Sequence, residues 1–103
     1  MVRITKTAVA GWLADVPPEN GFWCSDGRVL KNLSELEKAL GEMSEETFGY
    51  HSNEVKSDFS NWVRDVIGDE KLARDLLKST TRARALRSVA SRIAWLNDKM
   101  AGD

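Results

Sequence analysis

Over most of the chain, apolar residues recur every three or four positions, the period of a helix that buries one face. Leu33, Leu36, Leu40 and Met43 form the first clear stripe, and Asn32 followed by Glu35 resembles a capping box at its start. Ser44 with Glu45 and Glu46 opens a second, short helix anchored by Phe48. A third begins near Ser57 or Asp58, with Phe59, Trp62, Val63 and Val66 on one face and Gly68 as a left-handed stop. Asp69 then caps a helix that buries Leu72, Ala73 and Leu76. Ser79, Thr80 and Thr81 offer caps for a long last helix, whose stripe is Leu86, Val89, Ala90, Ile93, Leu96 and Met100. The predicted helices therefore span about 33–43, 44–52, 57–67, 69–78 and 81–100, and Gly41, Gly49 and Gly68 read as helix ends or breaks.

Two segments break the period. Phe22 and Trp23 lie on one side of Asp26–Gly27, and Val29 and Leu30 on the other. Asp-Gly suits the positive-φ geometry of a tight turn, so a two-stranded hairpin over about 21–31 is predicted, resting on helices because two strands alone are marginal. Residues 1–16 form an arm with helical spacing at Val9, Trp12, Leu13 and Val16, and Pro17–Pro18 ends it. The arm is expected to be loosely attached or partner-dependent. The fold class is thus α+β, mostly α: one short hairpin on four or five helices, a long C-terminal helix as side wall, and a single compact domain over 17–103.

Length and composition agree with one globular unit: 103 residues, 42% apolar and 30% charged. Cys24 is the only cysteine, which excludes an intrachain disulfide and a multi-cysteine zinc site. No basic-plus-apolar leader opens the chain, and no apolar run approaches the roughly 18 residues of a bilayer-spanning helix. A cytoplasmic setting without membrane contact is the expectation. The net charge of -1 conceals two regions of opposite sign. Ten acids face three bases between Leu33 and Glu70, whereas Arg82, Arg84, Arg87, Arg92 and Lys99 face only Asp98 in the last helix. An acidic face and a basic helix would attract each other, within or between chains.

Tyr50, His51, Asn53, Lys56 and Asp58 crowd between Phe48 and Phe59. On a continuous helix His51, Glu54 and Asp58 would share a face and suit a divalent metal. The simpler expectation is a helix cap at Asp58, a turn at Asn53 and a hydrogen-bonded His51. Ser52, Ser57 or Ser60 beside His51 would need a third group and an oxyanion site to act as a nucleophile, and no such constellation, nor a glycine-rich phosphate loop, is recognised. No catalytic residue, metal or cofactor is therefore assigned. In the last helix Trp95 falls nearly opposite Leu86, among Arg84, Ser88, Ser91 and Lys99. It reads as a protein contact, as a residue covered by the hairpin or the arm, or as a base-stacking platform beside arginines.

From His51 to Ala73 the residues fit the pattern His-x-Asn-x-x-Lys-x-Asp-Phe-x-x-Trp-x-x-Asp-Val-x-Gly-Asp-x-x-Leu-Ala at every fixed position. That pattern resembles the signature of an uncharacterised family of small prokaryotic, mainly archaeal, domains. Pro17–Pro18–Glu19, Phe22, Asp26–Gly27 and Met43 also resemble it. The resemblance carries no catalytic residue across. It implies an intracellular domain sometimes appended to other proteins, as an interaction or scaffold module would be. Physically, Phe59, Trp62 and Val66 are core, Asp58 and Asp69 are caps, and His51, Asn53, Lys56 and Asp65 suit a buried polar network that fixes the angle between helices.

The leading expectation is a non-catalytic protein-interaction module, with self-association in view, and Trp95, Arg84, Arg87, Arg92 and Trp12 as contact candidates. Nucleic-acid binding through the basic last helix is the alternative. A small-molecule or metal site around His51 is the third.

Overall fold

Six α-helices in the described residues each begin on a polar side chain that accepts the hydrogen bond of an otherwise orphaned amide. Thr5, Asn32, Ser44, Ser57, Asp69 and Thr81 cap α1 (Lys6–Leu13), α2 (Leu33–Glu42), α3 (Glu45–His51), α4 (Asp58–Trp62), α5 (Glu70–Lys78) and α6 (Arg82–Ala101) in turn. The computed structural model describes residues 4–102. Between α1 and α2 lie a 3-10 turn (Pro18–Asn20) and an antiparallel hairpin of β1 (Phe22–Trp23) and β2 (Val29–Leu30), with Phe22 opposite Leu30 and Trp23 opposite Val29. The α+β, mostly helical architecture expected from the pattern is the one adopted. A Cα radius of gyration of 13.2 Å is that of one folded unit of about 100 residues.

α6 is the spine. It packs along α2 and also meets α1 and α5, while α4 lies on α5. The most deeply buried side chains, Leu33, Leu36, Leu40, Phe59, Val63, Leu72, Leu76, Val89 and Leu96, fill the space between them. Phe22 is the hairpin's inward residue and stacks on Phe59 at 5.1 Å, and Phe59 in turn stacks on Phe48 at 5.8 Å. The Trp62 indole Nε1 donates to the Asn20 carbonyl at 2.8 Å, fixing the approach to the hairpin.

Several local features depart from the pattern the sequence predicts. The hairpin loop is not a two-residue Asp26–Gly27 turn. Cys24 N–H donates to the Arg28 carbonyl and Gly27 N–H to the Cys24 carbonyl, while Gly27 takes φ 99°. This is the three-residue form, a turn followed by a left-handed glycine. Asp58 is not the cap of α4: Ser57 Oγ accepts from Ser60 N–H, leaving the Asp58 carboxylate for other partners. Gly41 lies within α2 and Gly49 within α3, so neither ends a helix, whereas Gly68 does, at φ 95°. The single helix expected over 57–67 changes pitch. α4 passes into a π-helical turn (Val63–Ile67) closed by Gly68 N–H on the Val63 carbonyl at 2.7 Å.

The arm is also placed differently from expectation. Its first three residues lie outside the described ones, but α1 packs on α6 and α2, and Val9 is fully buried. Val16 N–H donates to the Lys31 carbonyl at 2.8 Å, which ties the arm's end to the strand exit.

Candidate functional site

His51 ends α3 and is buried among Phe22, Phe59 and Tyr50. Its Nε2 accepts from the Ser25 backbone N–H at 2.9 Å, so that nitrogen carries no proton. Nδ1 therefore carries it and donates to Asp58 Oδ2, also at 2.9 Å. Lys56 Nζ donates to the same carboxylate oxygen at 3.1 Å. One imidazole thus joins the hairpin loop to the start of α4. The intervening turn is closed by Asn53, whose Oδ1 accepts from Val55 and Lys56 N–H and whose Nδ2 donates to the Gly49 carbonyl.

Of the polar network expected here, only His51 is buried. Asn53 and Lys56 are exposed, and Tyr50 stands out from the surface with Lys56 Nζ 4.8 Å from its ring centre. Asp65 does not join: it lies on the surface, paired with Arg64 at 2.9 Å. The helix stops at His51, so Glu54 falls in an exposed turn rather than on a face shared with His51 and Asp58. Among the described residues no cluster of three His, Cys, Asp or Glu side chains is arranged to hold a metal. Both nitrogens of His51 are engaged. Ser57 Oγ caps α4 and Ser60 Oγ donates to the Ala73 carbonyl at 2.6 Å, so the weighed serine–histidine pairing is not formed.

The second cluster is one that the sequence reading assigned to the surface. Arg92 is only 6% exposed and lies on the most buried line of α6, with Ala85, Val89 and Leu96. Its guanidinium donates twice to Asp69, from Nε at 2.7 Å and Nη2 at 3.0 Å. Asp69 is wholly buried and also accepts from Leu72 N–H as the cap of α5. Trp95 lies over the guanidinium at 4.6 Å and Trp12 approaches it at 5.6 Å. Arg92 is thus an internal tie between α1, α5 and α6, not a surface contact. Trp12 is half-buried in the same stack, its indole Nε1 3.5 Å from where a side chain on Gly68 would begin. The stripe named from sequence, Leu86, Ala90 and Ile93, is half-buried beside this line, and Met100 is exposed.

The charge asymmetry has a partly internal use. Arg82 pairs with Glu45 at 2.7 Å and donates to the Leu40 carbonyl, so it and Arg92 join α6 to the acidic segment of the same chain. Arg84 and Arg87 are exposed and form no ion pair among the described residues.

Apart from Tyr50 and Met100, the exposed large apolar side chains among the described residues lie in three places. Trp23 and Val29, paired across the hairpin, are 70% and 40% exposed. Val55 and Leu77 border an open hollow of about 510 Å³ beside the His51–Ser57 turn. Trp95 keeps 42% of its surface in solvent. Sequence reasoning missed Trp23 as an outward residue, although strand alternation opposite the buried Phe22 was the signal. Every buried side-chain nitrogen and oxygen among the described residues has a hydrogen-bond partner, so none points unpartnered into a cleft. Among the described residues no helix is long and apolar enough to cross a membrane. This chain matches no protein-family model, no curated protein and no solved structure.

Proposed function

We propose that this chain is a non-catalytic protein-interaction module that presents the outer face of its hairpin to a partner. The observation that carries the proposal is Trp23, 70% exposed and paired across the strands with the exposed Val29. Tryptophan is the residue type most enriched at the energetic centres of protein contacts. Covering the exposed part of one indole removes roughly 100–175 Å² from water, worth about 2–4 kcal/mol as an upper bound. The signature-like segment supports this role indirectly. His51 holds the hairpin loop, and Phe59 and Trp62 hold its inner face, so the outer face is presented in one orientation.

The charge argument for self-association is weaker than the sequence suggested, because Arg82 and Arg92 are satisfied within one chain. Cys24, a lone buried thiol, suits a reducing compartment inside the cell.

The test compares wild type with Trp23→Ser and Val29→Ser, each first checked for unchanged unfolding midpoint. Sedimentation velocity reads self-association, and quantitative affinity capture reads other protein partners. The proposal expects whichever association is found to drop at least tenfold in the Trp23 variant. Association indifferent to both substitutions, or no protein association by either measurement, removes it.

A further inference from the structure

A different surface is basic and ends in an aromatic side chain. An open groove runs between α5 and α6, walled by Lys71 and Lys78 on one side and Arg84 and Arg87 on the other, with Trp95 at one end. Asp75 is the acidic residue in its lining, and it is tied to Lys71 at 2.6 Å. Lys78, Arg84 and Arg87 are exposed and form no ion pair among the described residues. The groove therefore keeps a positive excess although the whole chain has a net charge of -1. Arg84, Ser88, Ser91 and Trp95 recur at spacings of three and four, so they share one face of α6. From Arg84 to Trp95 that face is about 16 Å long.

The aromatic end is held in place. Arg92 lies against the Trp95 indole at 4.6 Å and is itself fixed by two hydrogen bonds to the buried Asp69. Trp95 still has 42% of its surface in solvent. A stacked, positioned indole at the end of a track of unpaired cations is the pairing that unpaired bases and their phosphates require.

We propose that the α5–α6 groove binds single-stranded nucleic acid, with phosphates along Lys78, Arg84 and Arg87 and a base stacked on Trp95. An acidic peptide would use the cations but would have no need of the indole. A duplex would offer no free base face to it. The site is separate from the hairpin's outer face and stands or falls independently of docking there.

The probe is a fluorescently labelled oligothymidylate of about 15 nucleotides, longer than the groove itself so that several registers can occupy it. Binding is read by anisotropy between about 50 and 200 mM salt. Wild type is expected to bind, with affinity falling as salt rises. Trp95→Ala is expected to weaken binding at least about fivefold without changing the salt slope. Replacing both Arg84 and Arg87 by Ala is expected to weaken it and to make the slope of log K against log salt shallower by about 1.4. Ser91→Glu places a carboxylate in the groove one helical turn before Trp95 while keeping Arg92, Asp69 and Trp95 themselves, and is expected to abolish binding even if Trp95→Ala proves poorly folded. Lys38→Ala, on α2 outside the groove, is the control and is expected to match wild type. No binding at the lowest salt, or binding unaffected by Ser91→Glu, overturns the proposal. So does a poly-glutamate peptide that binds as tightly as the oligonucleotide.

Discussion

Replacing Arg92 by Met tests the reading of the tie between α5 and α6. The substitution keeps the length and apolar stem of the side chain but removes both hydrogen bonds to Asp69. Asp69 is fully buried, so its carboxylate is left without a counter-charge in a low-dielectric setting. Removing one partner of such a pair costs about 3–5 kcal/mol. The contact with Trp95 at 4.6 Å adds about 0.5–2 kcal/mol to the loss. A domain of this size has roughly 5–15 kcal/mol of total stability, so the single variant is expected to be marginal at 37 °C. The second substitution is Asp69→Asn. Asparagine still caps α5 but carries no charge, so with Arg92→Met it leaves no uncompensated ion. The double variant is expected to regain at least about 2 kcal/mol of the single variant's loss, because replacing a buried pair by neutral groups is often tolerated. Urea unfolding of the four proteins, extrapolated to water, gives the coupling energy directly. If Arg92→Met costs less than about 1 kcal/mol, or if the two losses simply add, the pair is not the tie described here.

Three further outcomes are expected. His51→Ala deprives the Ser25 N–H of its acceptor and Asp58 of a donor, so it should cost about 1–3 kcal/mol and speed amide exchange selectively in the hairpin loop; unchanged exchange there would show that the imidazole does not hold the loop. Gly49→Ala should stabilise by about 0.5–1 kcal/mol, because the glycine sits inside α3 with open space around it, whereas Gly68→Ala should destabilise by about 1–2 kcal/mol because φ is 95°; urea midpoints moving in the same direction would contradict this. Burial pushes the Cys24 thiol pKa up, so folding opposes its ionisation. The contribution of Cys24 to stability is then full below the ordinary thiol value of about 8.5 and declines as pH rises past it. The alkaline fall in stability should be smaller in Cys24→Ala, and an identical pH profile would count against it.

The helices were legible because a capping side chain and apolar spacing coincided near each start, although Ser57 and not Asp58 caps α4. Asn32 and Glu35 show how far that goes: Asn32 Oδ1 accepts from Glu35 N–H, but Glu35 Oε1 reaches the Lys31 N–H rather than that of the cap itself. The π-helical turn was not legible, because its five residues carry the same apolar spacing as an α turn and only Gly68 marks the end. Arg92 misled for a different reason. An arginine reads as solvent-facing by type, although Val89 and Leu96 at spacings of three and four enclose its position on the buried line. Its counter-charge lies 23 residues upstream, and no local pattern joins two such positions. The hairpin's existence followed from Asp26–Gly27, but its loop length followed from the Cys24–Arg28 pairing, which depends on how Phe22 seats against Phe59.

The shortness of the strands bears on the order in which the molecule assembles. Two residues on each side give a hairpin no independent life in water. Its anchors are distant in sequence: Ser25 to His51 spans 26 positions and Asn20 to Trp62 spans 42. Closing loops of that length precedes any reward from the contacts, so the strands are expected to settle only once α3 and α4 are in place. Faster amide exchange in the hairpin than in α2 and α6 would be the sign of that order. A molecule gripping Trp23 would hold the hairpin closed, and its presence would register as slower amide exchange at Ser25.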